Sequence, residues 1–112
     1  MTLTEEKKDG VLIPGVAGRL DVTTSDELER CLQALIAEGA TRLVLDLEKV
    51  DYVSSAGLRV LLATLQRLEN VNGSLGLPRT QEYVREIVEV AGLDTVFDLY
   101  ESVEEAVKGT AG

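Results

Sequence analysis

The chain contains no histidine and a single cysteine, Cys31. Without histidine, a serine nucleophile lacks the base that usually takes its proton. The two shortages together leave zinc without a ligand set. One cysteine cannot form an intrachain disulfide, and its place in a helical apolar stripe reads as a buried thiol rather than a redox centre. Aromatic residues make up 4% of the 112, so the core has to be built from Leu, Val, Ile and Ala. Positive charge is scarce: 11 Lys and Arg against 20 Asp and Glu leave a net charge of −9. That balance argues against nucleic acid, whose phosphates need Lys and Arg to displace counterions. It argues equally against an anionic membrane surface. No apolar run approaches the roughly 20 residues that span a bilayer. The first ten residues lack the apolar stretch of a secretory signal, so a cytoplasmic protein is expected.

The length suits one domain with one core, and no internal repeat, low-complexity tract or linker divides it. "MTLTEEKK" reads as a short edge strand, and Asp9-Gly10 is a pair that favours a two-residue hairpin. "VLIPGVAG" follows as a strand. Pro14 assigns it to an edge or a bulge, because proline removes a ladder donor. Thr24 and Glu27 have capping-box spacing. Leu28, Cys31, Leu32, Leu35 and Ile36 then form one helical stripe, stopped at Gly39. "RLVLDL" (Arg42 to Leu47) reads as a buried strand, followed by an exposed loop around Lys49.

A long helix is expected from near Ser55 to just before Asn72-Gly73, with Leu58, Leu61, Leu62, Leu65 and Leu68 on its inner face. "SLGL" is a weaker strand. Pro78 and Thr80 open a third helix with Val84, Ile87, Val88 and Ala91 inward and Gly92 at its end. "TVFDLY" alternates as a strand, and Ser102 with Glu105 opens a last helix through Val107. The order β β α β α β α β α predicts an α/β domain over residues 1–112. Its sheet should be mostly parallel, with about five strands, an antiparallel N-terminal edge and about four helices. Residues 1–9 and 109–112 are the stretches expected to fray.

The stretch "VDYVSSAGLRVLL", from Val50 to Leu62, holds the chemistry that remains. A Ser–Lys pair would need Lys49 with a lowered pKa, and Glu48 and Asp51 beside it act the other way. The G-x-S-x-G nucleophile pattern is absent. Asp46, Glu48 and Asp51 have a spacing that suits Mg²⁺ at a strand end, but a solvated acidic loop is the more economical reading. "SSAGLR" lacks the spacing of a phosphate-cradling loop, and "GVAGRL" leads into no such pattern. What is left is the helix start itself. Ser54 or Ser55 should cap it. Ala56 and Gly57 are small and leave the end open to another protein's backbone. A serine there also suits phosphorylation, which adds about −1.5 to −2 charges that helix N-terminal amides tolerate. A partner docked over that end would then meet a bulky dianion, giving a switch without refolding.

Four stretches in this order resemble the STAS family, and within it the stand-alone bacterial anti-sigma factor antagonists. They are "GRLDVTTSDEL", "LVLDLEKVDYVSSAGLRVLL", "VREIVEVAGLDTVFDLY" and "SVEEAV", spanning roughly residues 10–108. The second is the most specific. The resemblance implies a non-enzymatic binding domain with no cofactor and no metal. Its implied partners are an anti-sigma factor that is also a serine kinase, to which the ATP belongs, and a serine phosphatase that reverses the modification. The family's acceptor lies two residues before the Gly, which is Ser55 here, with Ser54 as the alternative. The implied partner surface comprises Asp21, Ser54, Ser55, Ala56, Gly57, Leu58 and Arg59. A regulatory or scaffold STAS protein in another signalling or transport assembly is the second reading. Oligomeric state is not written in the chain.

Overall fold

A computed structural model describes residues 2–111. The strands are β1 (Thr2–Lys8), β2 (Val11–Leu20), β3 (Arg42–Val44), β4 (Asp46–Val53), β5 (Ser74–Pro78) and β6 (Asp98–Tyr100). The helices are α1 (Val22–Ala37), α2 (Ser55–Asn70), α3 (Glu82–Val90) and α4 (Val103–Ala111). They build one sheet in the order β1-β2-β3-β5-β6, with β4 pairing β2 beyond β3. Only β1 and β2 are antiparallel.

The hairpin between β1 and β2 turns on Asp9 and Gly10, both at positive φ (54° and 79°). That left-handed pair matches the natural twist of two strands, and it sets a register that runs unbroken from Thr2↔Ala17 to Lys8↔Val11. Thr2–Lys8 is a paired strand, and α4 continues through residue 111, with Thr110 buried and its hydroxyl donating to the Ala106 carbonyl at 2.8 Å. Met1 and Gly112 lie outside the described residues.

Alternation along the strands separates two cores. Leu43 and Leu45 face the main cluster, where Leu28, Leu32, Leu61, Leu65, Leu68, Val84 and Val88 from α1, α2 and α3 meet the sheet. Val44, Val11 and Ile13 face the other way and are covered by Ala106 and Val107 of α4. The stripe of α2 includes Val60 and Thr64 as well as the leucines; Thr64 is tolerated inside because its hydroxyl donates to the Val60 carbonyl at 2.8 Å.

Several local expectations give way to tertiary structure. The cap of α1 lies three residues before Thr24: Asp21 is its N-cap and Thr24 its third residue. Cys31 is half-buried rather than enclosed. Pro14 lies in an interior strand, not at an edge. It falls between the pairs Leu12↔Leu43 and Gly15↔Asp46, in the gap where β2 changes partner, so its missing N–H breaks no ladder there.

The run from Arg42 to Leu47 is divided at Leu45, whose N–H donates to the Gly76 carbonyl at 3.0 Å. The expected loop around Lys49 is part of β4. Of "TVFDLY" only the last three residues are strand. Val96 and Phe97 both donate to the Leu93 carbonyl, which closes a turn that buries Phe97. Ala91 ends α3 exposed. Gly76 weakens β5 as a sequence, yet a Cβ there would stand 3.1 Å from the Tyr100 ring and 3.2 Å from Thr110.

Asp46 and Glu48, two of the three carboxylates considered for Mg²⁺, have other work. Arg79 Nη2 reaches Asp46 at 2.9 Å and Arg79 Nε reaches Glu48 at 2.8 Å, while its N–H donates to the Tyr100 carbonyl. Hydrogen bonding to Asp46, foremost, raises the guanidinium pKa further above its ordinary value. The Gln81 side-chain amide Nε2 donates to the Glu48 carbonyl at 2.7 Å. This cluster fastens β4 to the connection between β5 and α3. Because it is partly exposed, Arg79→Ala should lower stability by about 1 kcal/mol, less in high salt. Urea unfolding at two salt concentrations measures both.

Candidate functional site

Strands β2 and β4 run parallel and end together. Their last residues, Leu20 and Val53, pair. Each strand feeds a helix after a single residue, Asp21 before α1 and Ser54 before α2. The Ser54 N–H donates to the Leu20 carbonyl at 2.8 Å, tying the start of α2 to the end of β2. Two helix N-termini therefore open on one rim of the sheet, both with amides pointing outward.

Each cap is satisfied by its own residues. At α1, Thr24 N–H donates to Asp21 Oδ1 at 3.0 Å and Asp21 N–H donates to Thr24 Oγ1 at 2.9 Å, a reciprocal capping box. The Thr24 amide foremost, and second the Thr24 hydroxyl 3.1 Å from Asp21 Oδ1, hold the Asp21 carboxyl below its ordinary value of 3.8. At α2, Gly57 N–H donates to Ser54 Oγ at 3.2 Å. The two serines thus divide: Ser54 is half-buried and caps, while Ser55 is the first helical residue and is exposed.

The expected surface residues separate by depth. Ser55 and Arg59 are exposed, and Ala56 and Leu58 are half-buried. Gly57 is buried and does not belong to the open end. A Cβ on it would lie 2.9 Å from Val53 Cγ1, 3.1 Å from Leu20 Cβ and 3.3 Å from the Leu20 carbonyl oxygen. Glycine is there so that the first turn of α2 can seat against the two strand ends. Asp21 shares the rim with the serines through the Leu20–Val53 pairing.

Three further residues at this rim escaped sequence reasoning. Val22, the first residue of α1, is 73% exposed. Its signal was an apolar residue off the buried stripe, directly after a cap. Arg19 lies with its guanidinium 4.3 Å from the centre of the Tyr52 ring. That stacking follows from the Arg19↔Tyr52 register, which no local pattern announces. Ser25 is buried, and its hydroxyl has no partner among the described residues.

An α/β domain whose sheet presents two adjoining helix starts, one with an exposed serine, is a shape shared with known proteins. The STAS domain model matches residues 3–106, and the chain belongs to that family. BtrV of Bordetella bronchiseptica, a proposed anti-sigma factor antagonist, is 41% identical over 95% of this chain and 91% of its own. The crystal structure of an anti-sigma factor antagonist from Mycobacterium paratuberculosis is 32% identical, with a TM-score of 0.89 over 99% of this chain and 94% of that one. The phosphorylated form of SpoIIAA, a Bacillus cell fate determinant, shares the fold at 20% identity, with a TM-score of 0.75 over 96% of this chain and 98% of that one. No helix among the described residues is long and apolar enough to cross a membrane.

Two outcomes follow from the caps and the seat. Gly57→Ala would improve helix propensity by about 1 kcal/mol, yet overpacking against Val53 and Leu20 should leave the variant destabilised by roughly 1–3 kcal/mol, read from chemical denaturation. Asp21 has a folded pKa below its ordinary 3.8, so its contribution to stability is present above that pH and is lost as pH falls through the folded value. Asp21→Asn keeps a capping side chain but not the titration. The stability gap between wild type and Asp21→Asn should therefore close as denaturation is measured at successively lower pH below 3.8.

Proposed function

We propose that this domain is an anti-sigma factor antagonist whose binding is switched by phosphorylation at Ser55. In its unmodified form it binds an anti-sigma factor that is also a serine kinase, and so frees a sigma factor for transcription. The kinase brings the ATP, and a separate serine phosphatase restores the binding form. A cytoplasmic location goes with this role.

The observation that carries the proposal is the division of labour between the serines. Ser54 already accepts the Gly57 amide as cap, and Ser55 is exposed one position further on. A kinase can reach Ser55 without opening the fold. The rim around it offers a partner Asp21, Ala56, Leu58 and Arg59, to which the exposed Val22 can be added. A phosphate on Ser55 meets helix N-terminal amides, which favour negative charge, so the domain keeps its structure. The partner meets a dianion where it had met a hydroxyl. Loss of binding therefore comes from charge and bulk at the contact, not from unfolding. The names of BtrV and of the Mycobacterium paratuberculosis protein support the same role.

The test is calorimetric titration with the cognate kinase-type partner. Ser55→Asp should abolish measurable binding while its circular dichroism and unfolding midpoint stay close to wild type. Ser55→Ala should bind but no longer be released by ATP. Ser54→Ala should still bind, at a cost of about 1 kcal/mol in stability from the lost cap. Wild-type affinity in Ser55→Asp would sink the proposal, and release of Ser55→Ala by ATP would move the acceptor elsewhere.

A further inference from the structure

Arg59 stands one helical turn after Ser55, at i+4. Side chains on a helix lean toward its N-terminus, so a residue at i+4 covers the surface over the turn before it. The guanidinium of Arg59 is therefore within reach of the surface over Ser55. Arg30, Arg67, Arg79 and Arg85 each pair with a carboxylate, whereas Arg59 makes no ion pair among the described residues. Arg19 and Arg42 are likewise exposed and without an ion pair among the described residues, but only Arg59 stands on α2 one turn from Ser55. The groove that Arg59 and Ala56 share with Val22, Ser25, Asp26 and Arg30 of α1 holds a second unmatched group. Ser25 is 1% exposed, and its Oγ has no hydrogen-bond partner among the described residues. One free cation and one free hydroxyl thus border the same groove, and both are groups that an oxyanion recruits.

We infer that Arg59 is the counter-charge for a phosphate on Ser55. It draws the modified side chain back over the first turn of α2 toward the groove with α1. The clamp rests on Ser55 being the acceptor. It adds that the phosphoserine is held in one place by this chain's own arginine and does not swing free. The carboxylates of Asp21 and Asp51, and of Asp26, Glu27 and Glu29 along the groove, work against it; Asp26 is paired with Arg30 and Glu29 with Arg67. Arg19 is engaged with Tyr52. That leaves Arg59 as the cation with both the position and the freedom to respond.

The experiment installs phosphoserine at position 55 during translation and follows its ³¹P resonance through a pH titration at low ionic strength. Free phosphoserine takes its last proton near pH 6. In the wild-type protein the midpoint should lie below that. In Arg59→Gln it should rise by about half a unit, roughly threefold in the proton-binding constant, while Arg59→Lys should retain most of the depression. Arg59 is exposed, so both variants should fold, and unfolding curves check this. An unchanged midpoint in Arg59→Gln overturns the clamp, whatever the acceptor used in the cell. The converse failure is separable too. If protein from its native host carries phosphate elsewhere, the acceptor assignment falls, while the titration of the installed group still reports on Arg59.

Discussion

Leu20 and Val53 end two parallel strands side by side, and their pairing decides where both α1 and α2 begin. A parallel pair delivers the C-terminal ends of its strands to the same edge of the sheet, and a helix that follows each must start there. One residue separates strand from helix in both cases, so the caps, Asp21 and Ser54, stand on the same rim. The Ser54 amide is not left to solvent but donates to the Leu20 carbonyl, which locks the two starts together. Everything exposed at this edge inherits its position from that lock.

The same pairing explains why the first turn of α2 carries a glycine. Taken alone, Gly57 weakens the helix and, as a small residue, leaves its end open. The contacts with Val53 and Leu20 give another reason: the helix comes so close to the strand ends that no Cβ fits. A penalty of roughly 0.5–1 kcal/mol in propensity is outweighed by burial of the leucine face behind it, at about 1.5–3 kcal/mol for each large side chain enclosed. Leu61, Leu65 and Leu68 supply that face. The open end and the closed seat are thus opposite sides of one turn, and only the outer side offers itself to a partner.

How far the chain could be read in advance follows from the range of each interaction. The leucine period of α2, its limits, the Asp9-Gly10 hairpin and the alternation of strands with helices are set by neighbours within a few residues, and they appear as written. Where partners lie far apart in sequence, local pattern gave out. Thr24 with Glu27 and Asp21 with Thr24 are both plausible capping pairs. The end of β2 at Leu20 selects the second, since the chain has only one residue in which to turn. Pro14 argues for an edge or a bulge unless one knows that β2 changes partner beside it. Leu45 looks like the middle of a strand until Gly76 is placed next to it. Of the rim, Ser54 and Ser55 were legible as a helix start, and Asp21 only through the family resemblance. Val22, the Arg19–Tyr52 stack and the unpaired state of Arg59 were not, because each depends on what lies across the sheet or the groove.

Adjacent serines at one helix start are not interchangeable, and the geometry says how they differ. Ser54 has extended backbone angles (φ −81°, ψ 172°), and its hydroxyl turns inward to accept the Gly57 amide. A phosphate there would have to move the oxygen that satisfies this amide, at the point where Gly57 is pressed against Val53. Ser55 has entered the helix, and its side chain leaves on the solvent side. Negative charge at that position adds to the field of the helix amides without replacing any bond the fold uses. A switch that has to change a surface and spare a core belongs at the first helical residue and not at the cap. In this chain the residue at that position is Ser55, with Arg59 one turn behind it on the same helix.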